Sequence, residues 1–197
     1  MKVEITVNNL VNKLQFLNHA ISTKSQLSIL LNLLIETKDG KVRISSTDLE
    51  IGIEINVAAT IVEEGSITVP ARTFTELIGS LSDTTVTLQT SENTLDVISK
   101  KSKSVFQTVP AADFPKLYDG KGEGIAKMDD KELRNNLSSV VFSASADTTR
   151  PALSGVLVRP EKDGFLLVAT NGFRLSLQHY KASRVTTDVN SQKSFIV

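Results

Sequence analysis

The sequence predicts an α+β protein in which one unit, built from antiparallel strands and a few helices, occurs twice. Many short segments alternate apolar and polar residues, which is the pattern of half-buried strands. A few longer segments carry apolar residues at helical spacing. The same order of elements restarts in the second half of the chain. With 197 residues, of which 40% are hydrophobic, the chain can bury a core in each of two small domains.

The first copy of the unit contains most of the predicted strands. A helix is predicted over residues 8–22, with Asn8 or Asn9 as its N-cap. A second helix is predicted over 71–81, and Pro70 lies near its first turn. The predicted strands cover residues 2–7, 27–36, 41–45, 49–57, 66–69, 85–89, 94–99 and 104–109. In the strand over 49–57 the residues expected to point inward are Leu49, Ile51, Ile53, Ile55 and Val57.

The second copy begins after a glycine-rich linker that contains Gly120, Gly122 and Gly124. The helix predicted over 129–145 carries its apolar stripe 123 residues after that of the first helix, at Leu133, Leu137 and Val140 after Leu10, Leu14 and Leu17. The final segment, 194–197, resembles the strand over 66–69. At that point the second copy contains about half of the predicted elements of the first copy, so we expect the chain to be a fragment of a longer protein.

Composition restricts the classes of function. Lysine plus arginine and aspartate plus glutamate each number 22, so the formal net charge is zero. Proteins that grip nucleic acid tightly through its phosphates usually carry a basic excess instead. The absence of cysteine excludes disulfides and thiolate chemistry. No secretory signal and no stretch near the ~20 apolar residues of a membrane span is found, so we expect a cytoplasmic protein without a membrane segment.

Two histidines make a hydrolase one hypothesis. His19 and His179, with Asp188 and several serines, would supply the residue types of a catalytic triad. However, no serine stands in a G-x-S-x-G motif, and neither histidine belongs to H-E-x-x-H. The segment 120–124, Gly-Lys-Gly-Glu-Gly, lacks the spacing of a phosphate-binding loop. We therefore expect no catalytic residue, no metal site and no cofactor.

The segment 168–177, VATNGFRLSL, is either a plain hairpin or a turn that carries a site. Its Asn-Gly pair suits a turn with positive φ. Part of it belongs to a set of stretches that resemble the bacterial DNA sliding clamp family, the beta subunit of DNA polymerase III. These stretches are TDLEI (47–51), VPAR (69–72), PAADFP (110–115), RPALSGVLV (150–158) and ATNGFRLS (169–176).

The resemblance implies a ring that encircles duplex DNA. Each chain of the family carries three copies of one α+β domain, and two chains close head to tail with helices inside and sheets outside. The polymerase III catalytic subunit, the clamp loader and repair proteins dock through short peptides, and the clamp has no catalytic chemistry. In this chain, residues 1–118 would be the first domain, 119–125 a linker and 126–197 an incomplete second domain, with the third absent. A peptide-binding scaffold that does not encircle DNA is the alternative.

The resemblance also assigns sites. The groove that accepts partner peptides would contain Arg150, Leu153, Thr170, Gly172, Phe173, Arg174 and Leu175. Contacts to DNA are expected from Lys24 and Arg72, and from Lys13 and Arg134 on the polar faces of the two repeated helices. The face that closes the full-length dimeric ring would contain Leu77, Leu81, Lys101 and Lys103. Phe173 and Asn171 stand where the family commonly has His and Asp, so the preferred peptides are expected to differ.

Overall fold

The computed structural model describes residues 1–21, 27–117, 129–147, 149–181 and 194–197. The chain divides into two compact units, Met1–Gly120 and Lys121–Val197. Each unit has a hydrophobic core of its own.

The first unit contains two helices, two sheets and short 3-10 turns. The helices are α1 (Val7–Leu17) and α2 (Ala71–Ser80), and the 3-10 turns are Asn18–Ala20, Ser28–Leu31 and Ala111–Asp113. The strands are β1 (Lys2–Thr6), β2 (Asn32–Lys38), β3 (Lys41–Thr47), β4 (Gly52–Val57), β5 (Ala59–Glu63), β6 (Ser66–Pro70), β7 (Thr85–Ser91), β8 (Thr94–Ile98) and β9 (Lys103–Gln107).

All strand pairs of the first unit are antiparallel. One sheet has the order β5-β1-β7-β8-β9 and the other the order β4-β3-β2-β6. Helix α1 buries Leu10, Leu14 and Leu17 completely, and α2 buries Phe74 and Ile78. These apolar stripes pack with residues from both sheets in a single core, which is what the helical spacing of the sequence requires.

The second unit contains one four-stranded antiparallel sheet covered by a helix. Its helices are α3 (Asp130–Val141) and α4 (Pro151–Ser154), and its strands are β10 (Leu157–Glu161), β11 (Gly164–Thr170), β12 (Leu175–Lys181) and β13 (Phe195–Ile196). The sheet order is β12-β11-β10-β13. Helix α3 begins at an N-cap, because the Asp129 carboxylate accepts the N–H groups of Lys131 and Glu132 at 3.0 and 3.2 Å.

The two units repeat one arrangement. Helix α1 contacts β4, the edge strand of the order β4-β3-β2-β6, and α3 contacts β12, the edge strand of the order β12-β11-β10-β13. The 3-10 turn Ser28–Leu31 and helix α4 lie 123 residues apart, the same offset as the helical stripes. The expectation of an α+β fold with antiparallel sheets and few helices is therefore confirmed.

Some boundaries of the first unit differ from the prediction. The segment predicted as a strand over 27–36 starts as the 3-10 turn Ser28–Leu31 and becomes a strand only at Asn32. Helix α1 follows Thr6, whose side chain makes no capping hydrogen bond, so the prediction of Asn8 or Asn9 as N-cap is wrong. Strand β5 was not predicted, because most of its residues are exposed at a sheet edge and give little apolar alternation.

Candidate functional site

The turn between β11 and β12 is held by hydrogen bonds among its own residues, Thr170–Arg174. The Thr170 hydroxyl donates to the carbonyl of Arg174 at 2.7 Å and accepts the N–H of Gly172 at 3.1 Å. The side-chain oxygen of Asn171 accepts the N–H groups of Phe173 and Arg174, both at 3.1 Å. The N–H of Asn171 donates to the carbonyl of Arg174 at 3.4 Å. Gly172 has φ of 90°, the left-handed conformation that glycine tolerates best.

The turn between β3 and β4 has the same set of hydrogen bonds, 123 residues earlier. The Thr47 hydroxyl donates to the carbonyl of Ile51 at 2.9 Å and accepts the N–H of Leu49 at 3.0 Å. The Asp48 carboxylate accepts the N–H groups of Glu50 and Ile51 at 3.0 and 2.7 Å. The N–H of Asp48 donates to the carbonyl of Ile51 at 3.2 Å. Leu49 adopts φ of 77°, like Gly172.

This turn corrects the prediction of a strand over 49–57. Leu49 and Ile51 do not point inward but are 60% and 55% exposed, because the side chains of Thr47 and Asp48 hold the backbone in a turn. The strand starts only at Gly52. From there Ile53 and Ile55 pack against the core, and Val57 is fully buried.

The surroundings of the two turns differ. In the first unit the segment 109–117 covers the sheet face beside the turn. The buried Thr68 hydroxyl donates to the Val109 carbonyl at 2.8 Å, and Leu117 lies so close to Gly52 that a Cβ there would be 2.9 Å from its Cδ2. In the second unit the residue equivalent to Gly52 is Leu175, which is 64% exposed. Both turns thus expose apolar side chains, Leu49 and Ile51 at the first and Phe173 and Leu175 at the second.

Three elements of the second unit meet beside this turn. The N–H of Ser145, just beyond α3, donates to the carbonyl of Leu153 in α4 at 2.8 Å. The hydroxyl of Ser143 donates to that of Ser176 in β12 at 3.1 Å. The end of α3, helix α4 and the start of β12 are thereby held together, and Leu153 is half-buried where they meet.

Most of the predicted groove residues are exposed. Arg150 is the N-cap residue of α4, and it is exposed, as are Gly172 and Arg174, whereas Thr170 is half-buried. Phe173 is 98% exposed. Among the described residues neither arginine has a carboxylate within ion-pair distance. The surface therefore combines apolar side chains with unneutralised positive charge, which suits a ligand with apolar and anionic groups.

Asp147 is the acidic side chain nearest in sequence to Arg150, and it is engaged elsewhere. Its carboxylate accepts the hydroxyl of Thr149 at 2.7 Å and the N–H of the same residue at 3.0 Å. The hydrogen bond from the Thr149 hydroxyl, followed by that from the backbone, lowers the pKa of the Asp147 carboxyl. This carboxylate is ionised at neutral pH but is not paired with Arg150.

Sequence reasoning did not identify Phe142 as part of the site. This residue is the C-cap of α3, is 57% exposed, and lies with its ring centre 5.9 Å from the guanidinium carbon of Arg174. Its only signal in the sequence is an aromatic residue off the helical stripe of Leu133, Leu137 and Val140.

The residues predicted to contact DNA have different environments. Lys24 lies outside the described residues. Arg72 is exposed, and its Nε donates to the Glu76 carboxylate at 2.9 Å. Lys13 is half-buried, and its ammonium donates to the carbonyl of Asn56. Arg134 is exposed on α3, and within the described ranges it has no ion-pair partner.

The residues predicted for the ring-closing face lie at two places in the first unit. Leu77 and Leu81, in and after α2, are partly buried and pack against the core. Lys101 is exposed, and the Lys103 ammonium pairs with the Asp96 carboxylate at 2.8 Å on the neighbouring strand.

Among the described residues, neither histidine of the hydrolase hypothesis is part of a catalytic triad. His19 is exposed in the 3-10 turn Asn18–Ala20, and His179 Nδ1 lies 2.9 Å from the Glu161 carboxylate on an exposed sheet face. Asp188 is not among the described residues. In the part of the chain that the structure covers, no three His, Cys, Asp or Glu residues cluster as metal ligands. None of the helices described there is long and apolar enough to cross a membrane.

Two family descriptions match almost the entire chain. The N-terminal domain of the DNA polymerase III beta subunit matches residues 1–118, and its central domain matches residues 127–197. The beta sliding clamp of Vibrio cholerae is 32% identical over 181 residues, which cover 90% of this chain and 49% of the relative. That of Escherichia coli K12 is 31% identical over 179 residues, with the same coverage. The chain thus spans about half the length of the curated relatives it matches.

Solved structures agree with these matches. A DNA polymerase sliding clamp from Bacillus subtilis superimposes with a TM-score of 0.91 at 26% identity, over 100% of this chain and 53% of that one. A sliding clamp from Pseudomonas aeruginosa bound to griselimycin has a TM-score of 0.90 at 26% identity and the same coverage. The resemblance seen in the sequence is therefore confirmed, and the chain belongs to the DNA polymerase III beta subunit family, the bacterial sliding clamps.

Proposed function

We propose that this chain is the N-terminal portion of a sliding clamp that encircles duplex DNA and keeps the replicative polymerase on its template. Residues 1–118 form its first clamp domain, 119–125 a linker, and 126–197 part of the second. At the length of its relatives the clamp closes as a homodimeric ring in the cytoplasm and has no catalytic activity. Its family membership and the repeated unit support this proposal.

The charge of the chain suits a ring that slides. Each phosphate contact releases counterions and adds salt-dependent affinity, so a protein that relies on many of them carries a basic excess. The formal net charge of zero shows no such excess, and retention by enclosure needs only a few contacts. Arg72, Lys13, Arg134 and Lys24 supply the few contacts that enclosure requires, and Arg72 is already partly neutralised by Glu76.

The turn Thr170–Arg174 carries the proposed docking function. Its hydrogen bonds fix the backbone before any ligand arrives, so binding does not have to order it. Leu153 and Leu175 provide the apolar floor, Phe173 an exposed aromatic side chain, and Arg174 a cation at the edge. The proposed ligands are short peptides of the polymerase III catalytic subunit, the clamp loader and other partners.

Calorimetry with griselimycin, the ligand of the Pseudomonas aeruginosa relative, tests this site. Arg174→Ala and Leu153→Ala should each weaken binding by about 1–3 kcal/mol, as expected for central anchors. Ile51→Ala is the matched control, because Ile51 occupies the position of Arg174 in the equivalent turn of the first unit. Unchanged affinity in both site variants, with the fold intact by circular dichroism, would show that the site is assigned wrongly.

A peptide-binding scaffold that does not encircle DNA is the second candidate. The open apolar surface around Leu175, together with the absence of a basic excess, favours it. Both candidates predict the same calorimetry, so only a measurement of DNA enclosure separates them.

A further inference from the structure

An aromatic ring at the end of α3 lies beside the arginine of the candidate site. The guanidinium carbon of Arg174 lies 5.9 Å from the centre of the Phe142 ring, within the distance at which the face of a ring attracts a cation. An arginine without such a contact has many rotamers and loses considerable entropy when a ligand fixes it. The ring therefore restricts the guanidinium before a ligand binds.

The backbone on both sides of this contact is fixed. Ser143, which follows Phe142 directly, is 1% exposed and donates its hydroxyl to Ser176, two residues after Arg174. The N–H of Arg174 donates to the Asn171 side chain, and its carbonyl accepts the Thr170 hydroxyl. The ring and the guanidinium are consequently carried by two segments whose separation is set by buried and local hydrogen bonds.

The guanidinium keeps its capacity to bind an anion. A ring whose centre is 5.9 Å from the guanidinium carbon does not occupy the N–H donors, which remain available to an anion. No carboxylate among the described residues pairs with Arg174. Phe142 is still 57% exposed, and Leu175 is 64% exposed. An acidic group at the guanidinium would thus have the apolar side chains of Phe142 and Leu175 nearby.

We propose that Phe142 is a positioning residue of the peptide site, whose ring holds Arg174 ready for the carboxylate of an acidic residue flanked by apolar ones. This inference rests on the proposed docking of peptides at the turn. It names the ligand class more narrowly: a short peptide in which an acidic side chain pairs with Arg174 and its apolar neighbours contact Leu175 and Phe142.

The geometric part is tested in the free protein. Phe142→Leu keeps an apolar side chain but removes the ring, whereas Phe142→Trp keeps an aromatic face. The Arg174 Hε resonance, assigned by its loss in Arg174→Lys, should move downfield in Phe142→Leu, because the ring current is lost, and remain upfield in Phe142→Trp. If the resonance is the same in Phe142→Leu as in the natural protein, the ring does not hold the guanidinium and the inference is overturned.

The functional part uses two probes, capped peptides Leu-Glu-Leu-Phe and Leu-Gln-Leu-Phe, titrated into the same variants. The natural protein should prefer the glutamate peptide, and Arg174→Ala should abolish the preference. Phe142→Leu should weaken binding of the glutamate peptide by about twofold to fivefold more than binding of the glutamine peptide, and Phe142→Trp should restore the difference.

The two levels of the proposal fail in different ways. In one outcome, the Arg174→Ala variant binds the glutamate peptide more weakly while the Phe142→Leu variant binds it as tightly as the natural protein. In that case the peptide site is supported and the role of Phe142 is overturned. If Arg174→Ala leaves both affinities unchanged, the peptide site itself is assigned wrongly, and the inference fails with it.

Discussion

Leu49 and Gly172 hold the same backbone conformation with very different side chains. Their φ angles are 77° and 90°. In this region a residue with a Cβ is less favourable by about 1–2 kcal/mol, whereas glycine is not penalised. Leu49 is 60% exposed, so its side chain recovers little of that cost through burial. A Cβ at Gly172 would meet nothing within 4 Å, so a substitution there acts through the backbone alone.

These two positions give a paired prediction for stability. Leu49→Gly should be about 1 kcal/mol more stable to urea than Leu49→Ala, because both remove the side chain and only glycine relieves the backbone. Gly172→Ala should lose about 1 kcal/mol relative to the natural protein. Equal stability of Leu49→Gly and Leu49→Ala would contradict the left-handed turn in the first unit.

Tyr180 links the sheet of the second unit to its helix. Burial raises the pKa of the Tyr180 phenol, and its hydrogen bond to the Glu132 carboxylate at 2.9 Å raises this pKa further. Because the folded pKa exceeds the unfolded value of about 10, the unfolded state ionises first as the pH rises. Tyr180 therefore contributes stability that is present below about pH 10 and is lost as the pH approaches the folded pKa.

Ultraviolet titration of phenolate absorbance tests this environment. One of the two tyrosines in the chain should ionise above the ordinary range, and this late ionisation should disappear in Tyr180→Phe. Glu132→Gln should bring it closer to the ordinary value, because a neutral partner does not repel the phenolate. Identical late ionisation in natural protein and Glu132→Gln would contradict the contact between the two side chains.

At the scale of elements, the Ser143–Ser176 hydrogen bond ties α3 to β12. Ser143 is 1% exposed, so Ser143→Ala leaves the Ser176 hydroxyl partly buried without its partner and should destabilise the protein by about 1–3 kcal/mol. The double variant with Ser176→Ala should cost less than the sum of the two single ones. Ser138→Ala, at an exposed position of the same helix, is the control and should be close to neutral.

The free energies of unfolding of the two single variants and the double variant are measured in urea. If the losses of the two single variants add up fully in the double variant, the two hydroxyls do not interact. Loss of the tie should also displace Phe142 relative to Arg174, since Ser143 and Ser176 lie within two residues of them. The stability of this junction and the geometry of the candidate site therefore depend on the same contact.

Element types were predictable from the sequence wherever apolar spacing had one interpretation. Helix α2 and strands β7, β8 and β9 follow the predicted segments closely, because their buried or partly buried residues recur at the period of their structure. The alternation of apolar and polar residues gave a wrong strand prediction where it extended into a turn. Leu49 and Ile51 keep the strand pattern, but the side chains of Thr47 and Asp48 bind the backbone and end the strand.

The candidate site was less predictable from the residues alone. The groove residues came from the family resemblance, because a turn sequence does not show which of its side chains a partner contacts. Phe142 was missed because its contact with Arg174 depends on how α3 packs against β12. The sequence showed that the two turns belong to a repeat. The hydrogen bonds that the two turns share were seen only in the structure.

At the scale of the whole molecule, the chain combines a repeated unit, a balanced charge and one proposed docking surface. In the first unit the segment 109–117 covers the face beside its turn, whereas Leu175 and Leu177 of the second unit are exposed. Apolar side chains are exposed at both turns, so it is the family resemblance that singles out the second for the proposed docking. The proposed enclosure would keep a chain with zero net charge on DNA without many phosphate contacts.

Retention on DNA circles decides whether the protein encloses DNA. The product of the natural gene, at the length the cell makes it, is loaded by its own clamp loader on nicked circular duplex, and its dissociation is compared with that from the same DNA cut once. We predict long retention on the circle and rapid loss after the cut, because the ring slides off a free end. Equal retention on both DNA forms would contradict enclosure and favour the peptide-binding scaffold.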